Sequence, residues 1–224
     1  MRDLPLPLAL TARLLPVAVL ASAGWALSSG PLAASPAGED SARETTGSGP
    51  FPTSESAPPT SAAVKTYTKA PSPCSGVTTK TVKSLVPGAK TAGKEIASTD
   101  ESVRRTCSWN ALKGYDYRWL DISYEIQQSD DKAENTYEER TTKNSGGGAV
   151  PGLGDEAYSV VNLTAESKQQ TREGVVYVRL SNALVIVTYN GSDFESKKAP
   201  GTDEINKGAI KAAKEAVAVL EDTR

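Results

Sequence analysis

Four aromatic side chains lie close together in this chain: Trp109, Tyr115, Tyr117 and Trp119. Flat apolar rings presented to solvent are the chemistry of a sugar or protein contact. The residues Arg118 to Gln127 alternate in character, which is the period of a strand half-buried in a sheet. Leu120, Ile122, Tyr124 and Ile126 share one face; Trp119, Asp121, Ser123, Glu125 and Gln127 share the other. Trp119, with Tyr117 and Tyr115, is therefore the candidate partner-binding patch, provided no helix covers that face. The competing expectation places Trp109 in the core beside the cysteines and Trp119 beneath a helix.

Catalytic constellations are hard to find. The chain contains no histidine, so a Ser-His-Asp triad is impossible and the commonest general base near neutral pH is missing. Carboxylates remain, with Asp155, Glu156 and Asp121 as candidates for a histidine-free hydrolase. Asp155 and Glu156 are adjacent, and in a strand they would point to opposite faces, a poor geometry for one bond. Gly152-Leu153-Gly154-Asp155-Glu156-Ala157 has the spelling of a dinucleotide fingerprint. It lacks the buried strand before and the helix after that the fingerprint needs, so it reads as a structural turn. Ser129-Asp130-Asp131-Lys132 spells S-x-x-K without its partner motifs and reads as a helix cap with a charged face. Two cysteines cannot make a four-thiolate zinc site, and there is no imidazole to complete one. No catalytic residue, cofactor or metal ligand is assigned.

The elements that position these residues sit in the second part of a 224-residue chain. Residues 1–27 hold Arg2 and Arg13, then an apolar run from Leu14 to Leu27 with Ala21-Ser22-Ala23 inside it. This is the grammar of a secretory signal peptide, with a retained signal-anchor as the alternative. Residues 28–72 are rich in Ser, Thr, Pro, Ala and Gly and cannot bury enough surface to order themselves. As a flexible tether of ~45 residues they would span on the order of 35–40 Å. Residues 73–224 form the domain, and Cys74 and Cys107 are expected to pair in an oxidising compartment. Closing that loop of about 33 residues contributes roughly 3–4 kcal/mol in the chain-entropy account. The net charge of −2 offers no field for nucleic acid.

Within the domain, helices are expected over Val77–Val86, Asp130–Thr142 and Thr202–Glu221, with Thr202 able to cap the last. The last is amphipathic: Ile205, Ala209, Ala213, Ala216, Val217 and Leu220 form one stripe. Strands are expected over Thr106–Leu112, Arg118–Gln127, Glu156–Asn162, Val175–Leu180 and Leu184–Tyr189, with Asn190-Gly191 ending the last. This predicts an α+β fold: a single antiparallel sheet with flanking helices on one face and a long amphipathic C-terminal helix.

Several of these residues occur in a familiar order. Pro73-Cys74 opens the domain, Cys107-Ser108-Trp109 makes a C-x-W strand, and Gly152-Leu153-Gly154-Asp155-Glu156-Ala157-Tyr158 follows. Two Val-rich strands and the amphipathic helix close the chain. The pattern resembles a family of actinobacterial envelope lipoproteins known only as a domain of unknown function, over about Cys74 to Leu220. The resemblance implies an extracytoplasmic α+β domain with its cysteines bridged, and no chemistry. Family members commonly carry a lipidated cysteine just after the signal; this chain has none there. The expected function is a non-enzymatic, extracytoplasmic cell-envelope domain that binds an envelope protein, glycan or lipid, or serves as an accessory module. The alternatives are the carboxylate hydrolase and a purely structural envelope protein.

Overall fold

The computed structural model describes residues 65–224; the expected signal or anchor, and the tether as far as residue 64, lie outside the described residues. A single 3-10 turn at Pro73–Ser75 precedes helix α1 (Thr79–Leu85). Strands β1 (Lys94–Ile96), β2 (Arg104–Lys113) and β3 (Asp116–Ile126) lead into helix α2 (Asp130–Lys143). Strands β4 (Gly148–Ala149), β5 (Glu156–Glu166), β6 (Gln169–Leu180) and β7 (Ala183–Asp193) and helix α3 (Thr202–Glu221) complete the chain. The strands form one sheet in the order β1-β2-β3-β7-β6-β5-β4, with every pair antiparallel. The expected α+β fold is present.

Directly opposed residues in an antiparallel pair share a face. Leu120, Ile122, Tyr124 and Ile126 of β3 oppose Tyr189, Val187, Val185 and Ala183 of β7. Val187 and Val185 in turn oppose Val176 and Val178 of β6. All of these side chains are buried. Helix α3 lies on this face, and Tyr124 donates its hydroxyl to the Ala216 carbonyl at 3.0 Å. The alanine stripe permits the close approach. So does Gly174, where an added Cβ would meet the Ile205 side chain at 2.9 Å. Each aliphatic side chain buried here contributes on the order of 1.5–3 kcal/mol.

Cys74, in the 3-10 turn, is bonded to Cys107 of β2. Trp109 packs beside the bridge at 1 % exposure, and its indole N–H donates to the Thr91 carbonyl at 3.1 Å. Trp109 is a core residue.

Four features differ from expectation. The folded chain reaches back to Tyr67, where folding composition begins, and so starts N-terminal to the domain boundary set at 73 beside the first cysteine. Tyr67 and Ala70 are buried, and the Asn182 side chain bonds both the N–H and the carbonyl of Tyr67. Strand β7 continues through Asn190-Gly191 to Asp193, because β3 and β6 flank it on both sides and hold the ladder across the glycine. Thr202 is the first helical residue and not the cap; Gly201 occupies the cap position without a side-chain bond. The helices do not all share one face. Helix α2 lies on the other side, where its Arg140 meets the buried Glu125 of β3 at 2.8 Å.

Candidate functional site

The face opposite α3 carries the candidate patch. Five strands contribute one continuous polar row: Asn110, Trp119, Asn190, Glu173 and Asn162 stand opposite one another in that order. The next row toward α2 is Ser108, Asp121, Thr188, Val175 and Val160. Helix α2 engages the far end of the face, through Arg140 to Glu125. Trp119 precedes Glu125 by six positions, roughly 20 Å along a strand. Helix α2 therefore leaves the Trp119 end of the face clear, and Trp119 is half-buried there.

The ring of Trp119 is held in place. Its indole N–H donates to Asp121 Oδ1 at 2.6 Å, two residues along the same strand face. Tyr117 packs edge-on against it, with centroids 6.5 Å apart. Tyr117 in turn stacks on Phe194 at 6.0 Å. Phe194 is brought there by β7 running past its expected end, and its N–H donates to the Tyr115 carbonyl at 2.9 Å. Tyr115 stands exposed at the tip of the β2–β3 hairpin, and Leu112, opposite Tyr117, is exposed as well. Aromatic Tyr117, Trp119 and Phe194 thus form one cluster, with Tyr115 beside it.

Two carboxylates border this cluster. Asp121 is engaged by Trp119. Glu173 is half-buried beside Asn190, and its pKa is raised. Burial is the main cause, the Asn190 side chain opposes it through a hydrogen bond, and the Asp121 charge adds to it. Next to Asp121 is a cavity of about 490 Å³, lined among others by Arg104, Thr106, Ser123 and Thr188 and walled by residues 96–99. Thr106 and Ser123 hydroxyls lie 2.6 Å apart in its floor.

Asp155 and Glu156 do not form an acid/base pair. Asp155 lies in the turn before β5 and Glu156 opens the strand, and both carboxylates reach Arg179, at 3.5 and 2.7 Å. Asp155 also accepts the Ser181 N–H at 2.6 Å. The segment is a turn, with Gly152 and Gly154 at positive φ and Leu153 buried. Ser129 caps α2, accepting the Lys132 N–H at 3.2 Å. Among the described residues, no group of three or more His, Cys, Asp or Glu side chains is placed to hold a metal ion. No helix among them is long and apolar enough to cross a membrane.

The sequence reading missed Glu173, Asn190 and Phe194. Glu173 preceded the expected start of its strand, and Asn190 and Phe194 lay at or beyond the expected end of theirs. Alternation carried outward from Tyr189 would have put Asn190 and Phe194 on the polar face of their strand, whereas the continuous apolar run Val175–Val178 assigns Glu173 no face.

Comparison with known proteins adds no constraint: no protein-family model, curated protein or solved structure matches this chain.

Proposed function

We propose that this chain is a non-enzymatic binding module of the cell envelope, exported and held on its N-terminal tether, which takes a glycan on the Trp119 face. The row Asn110–Trp119–Asn190–Glu173–Asn162 carries this reading. A saccharide presents C–H faces that stack on rings and hydroxyls that pair with amides and carboxylates; this row offers both side by side. The immobilised indole reduces the ordering cost of binding. The disulfide agrees with an extracytoplasmic location. Titration of the full-length chain with solubilised cell-wall oligosaccharides, followed by tryptophan fluorescence, tests the reading. Saturable binding that Trp119→Ala weakens at least tenfold supports it; a flat response across the panel, or binding indifferent to Trp119, overturns it.

One observation favours a second reading, a carboxylate hydrolase. Glu173 is half-buried on the same sheet face as Asp121, and burial raises its pKa, the property of a general acid. Appearance of reducing ends that ceases with Glu173→Gln, while binding persists, would select it.

A further inference from the structure

The two edges of the sheet are finished differently. At one edge β1 covers β2 only as far as Ser108, and Lys90, Lys94 and Lys113 stand around the remainder. Lysines on an edge are a usual guard against pairing with another chain. At the other edge β4 covers β5 only at Tyr158 and Ser159. Among the described residues, no strand pairs with the outer side of Val160–Glu166. From Ala157 to Ala165, β5 contains no lysine, arginine or proline.

The register shows which backbone groups are free. Glu166 and Gln169 close a tight hairpin through Ser167 and Lys168, both at positive φ. Residues flanking such a two-residue loop bond to each other, and the direction then alternates along the strand. Glu166, Thr164, Asn162 and Val160 therefore point their N–H and carbonyl groups toward β6, and Val161, Leu163 and Ala165 point theirs outward. The bond from Val150 N–H to the Ala157 carbonyl, 2.8 Å, fits the same parity. Leu163 is the midpoint of the free stretch, and its side chain is 50 % exposed.

We propose that this edge pairs with the same edge of a second copy across a two-fold axis at Leu163, joining two sheets into one. In that register Leu163 faces its own counterpart, Val161 faces Ala165, Asn162 faces Thr164, and Val160 faces Glu166. No like charges are opposed. The apolar side chains Val161, Leu163 and Ala165 fall on one face from both copies, and polar Asn162 and Thr164 on the other. Each outward-facing pair exchanges two backbone hydrogen bonds. The match is self-complementary, as an isologous dimer interface must be. It does not depend on the glycan reading.

Cysteine cross-linking in the full-length chain tests the register. Directly opposed, hydrogen-bonded residues have Cα atoms about 5.5 Å apart, within disulfide range. Leu163→Cys is expected to give a covalent dimer on mild oxidation, while Leu112→Cys, equally exposed on the lysine-guarded edge, is not. Leu163→Lys places like charges at the axis and should weaken self-association at least tenfold in sedimentation equilibrium, with an unchanged circular dichroism spectrum. A wild-type chain that stays monomeric at the highest soluble concentration overturns the proposal. So does a dimer that Leu163→Lys leaves intact, or a β5 edge occupied by a strand from a different protein.

Discussion

Asp121 holds the ring of Trp119 by accepting its indole N–H at 2.6 Å, so the orientation of the candidate binding ring depends on a carboxylate two residues away. Removing that acceptor should release the ring. In Asp121→Ala, the Trp119 indole N–H resonance is expected to shift and to exchange faster with solvent. Ligand affinity should fall by up to about 1.5–3 kcal/mol, the worth of a hydrogen bond to a charged group. An unchanged indole resonance would show that the ring is held by packing against Tyr117 alone.

Glu173 and Glu215 should tilt the pH dependence of stability in opposite directions. Burial raises the pKa of Glu173, so the unfolded chain ionises first, and stability falls as pH climbs from about 4.3 through the folded value. Glu173→Gln is expected to raise the thermal midpoint at neutral pH, the gain vanishing in acid. For Glu215, burial is outweighed by bonds from Thr81 Oγ1 at 2.5 Å and Thr78 N–H at 2.8 Å, and its pKa is lowered. Its stabilisation is complete above about 4.3 and is lost as pH drops through the folded value. Glu215→Gln should therefore flatten the acid limb of the stability curve. Denaturant titrations across the acid range read both effects.

Asn182 ties the start of the domain to a hairpin turn. Its amide donates to the carbonyls of Tyr67 and Gln127, and its oxygen accepts the Tyr67 N–H at 2.8 Å. The residue is fully buried. Asn182→Ala leaves several backbone groups without partners and should cost about 2–4 kcal/mol. A chain beginning at Pro73 should lose a comparable amount, because it lacks Tyr67. Equilibrium urea unfolding measures both, and a truncated chain as stable as the longer one would contradict this account.

The bridge and Trp109 leave no room at Gly93. A Cβ there would lie 2.6 Å from Cys107 Sγ and from the indole of Trp109, and the residue has φ +68°. Gly93→Ala is expected to destabilise by about 2 kcal/mol or more, from strain and overpacking together. Replacing both cysteines by serine should cost roughly 3–4 kcal/mol. Thermal melts of the two variants give the comparison.

Much of the fold was legible because it is local. The alternation in β3, the Ser129 cap and the alanine stripe of α3 are periodic or positional signals that need no distant partner. The short strands β1 and β4 carried no such signal, since three or two residues have no period. The ends of β6 and β7 were misjudged for a related reason. Asn190, Gly191 and Glu173 have poor strand propensity, and neighbouring ladders overrule it.

The sequence by itself determined which side chains of one strand stand together: Trp119 with Asp121, and Leu120 with Ile122, because successive residues of a strand must face opposite ways. It also determined that the cysteines could bridge and that no histidine chemistry was available. Tertiary structure alone decided the rest. It set β7 between β3 and β6, which brought Glu173 and Asn190 into the row of Trp119. It put α3 on one face and α2 on the far end of the other, leaving the aromatic end clear of α2. Strand order and helix placement come from pairings between residues far apart in the chain, and local periodicity carries no information about them.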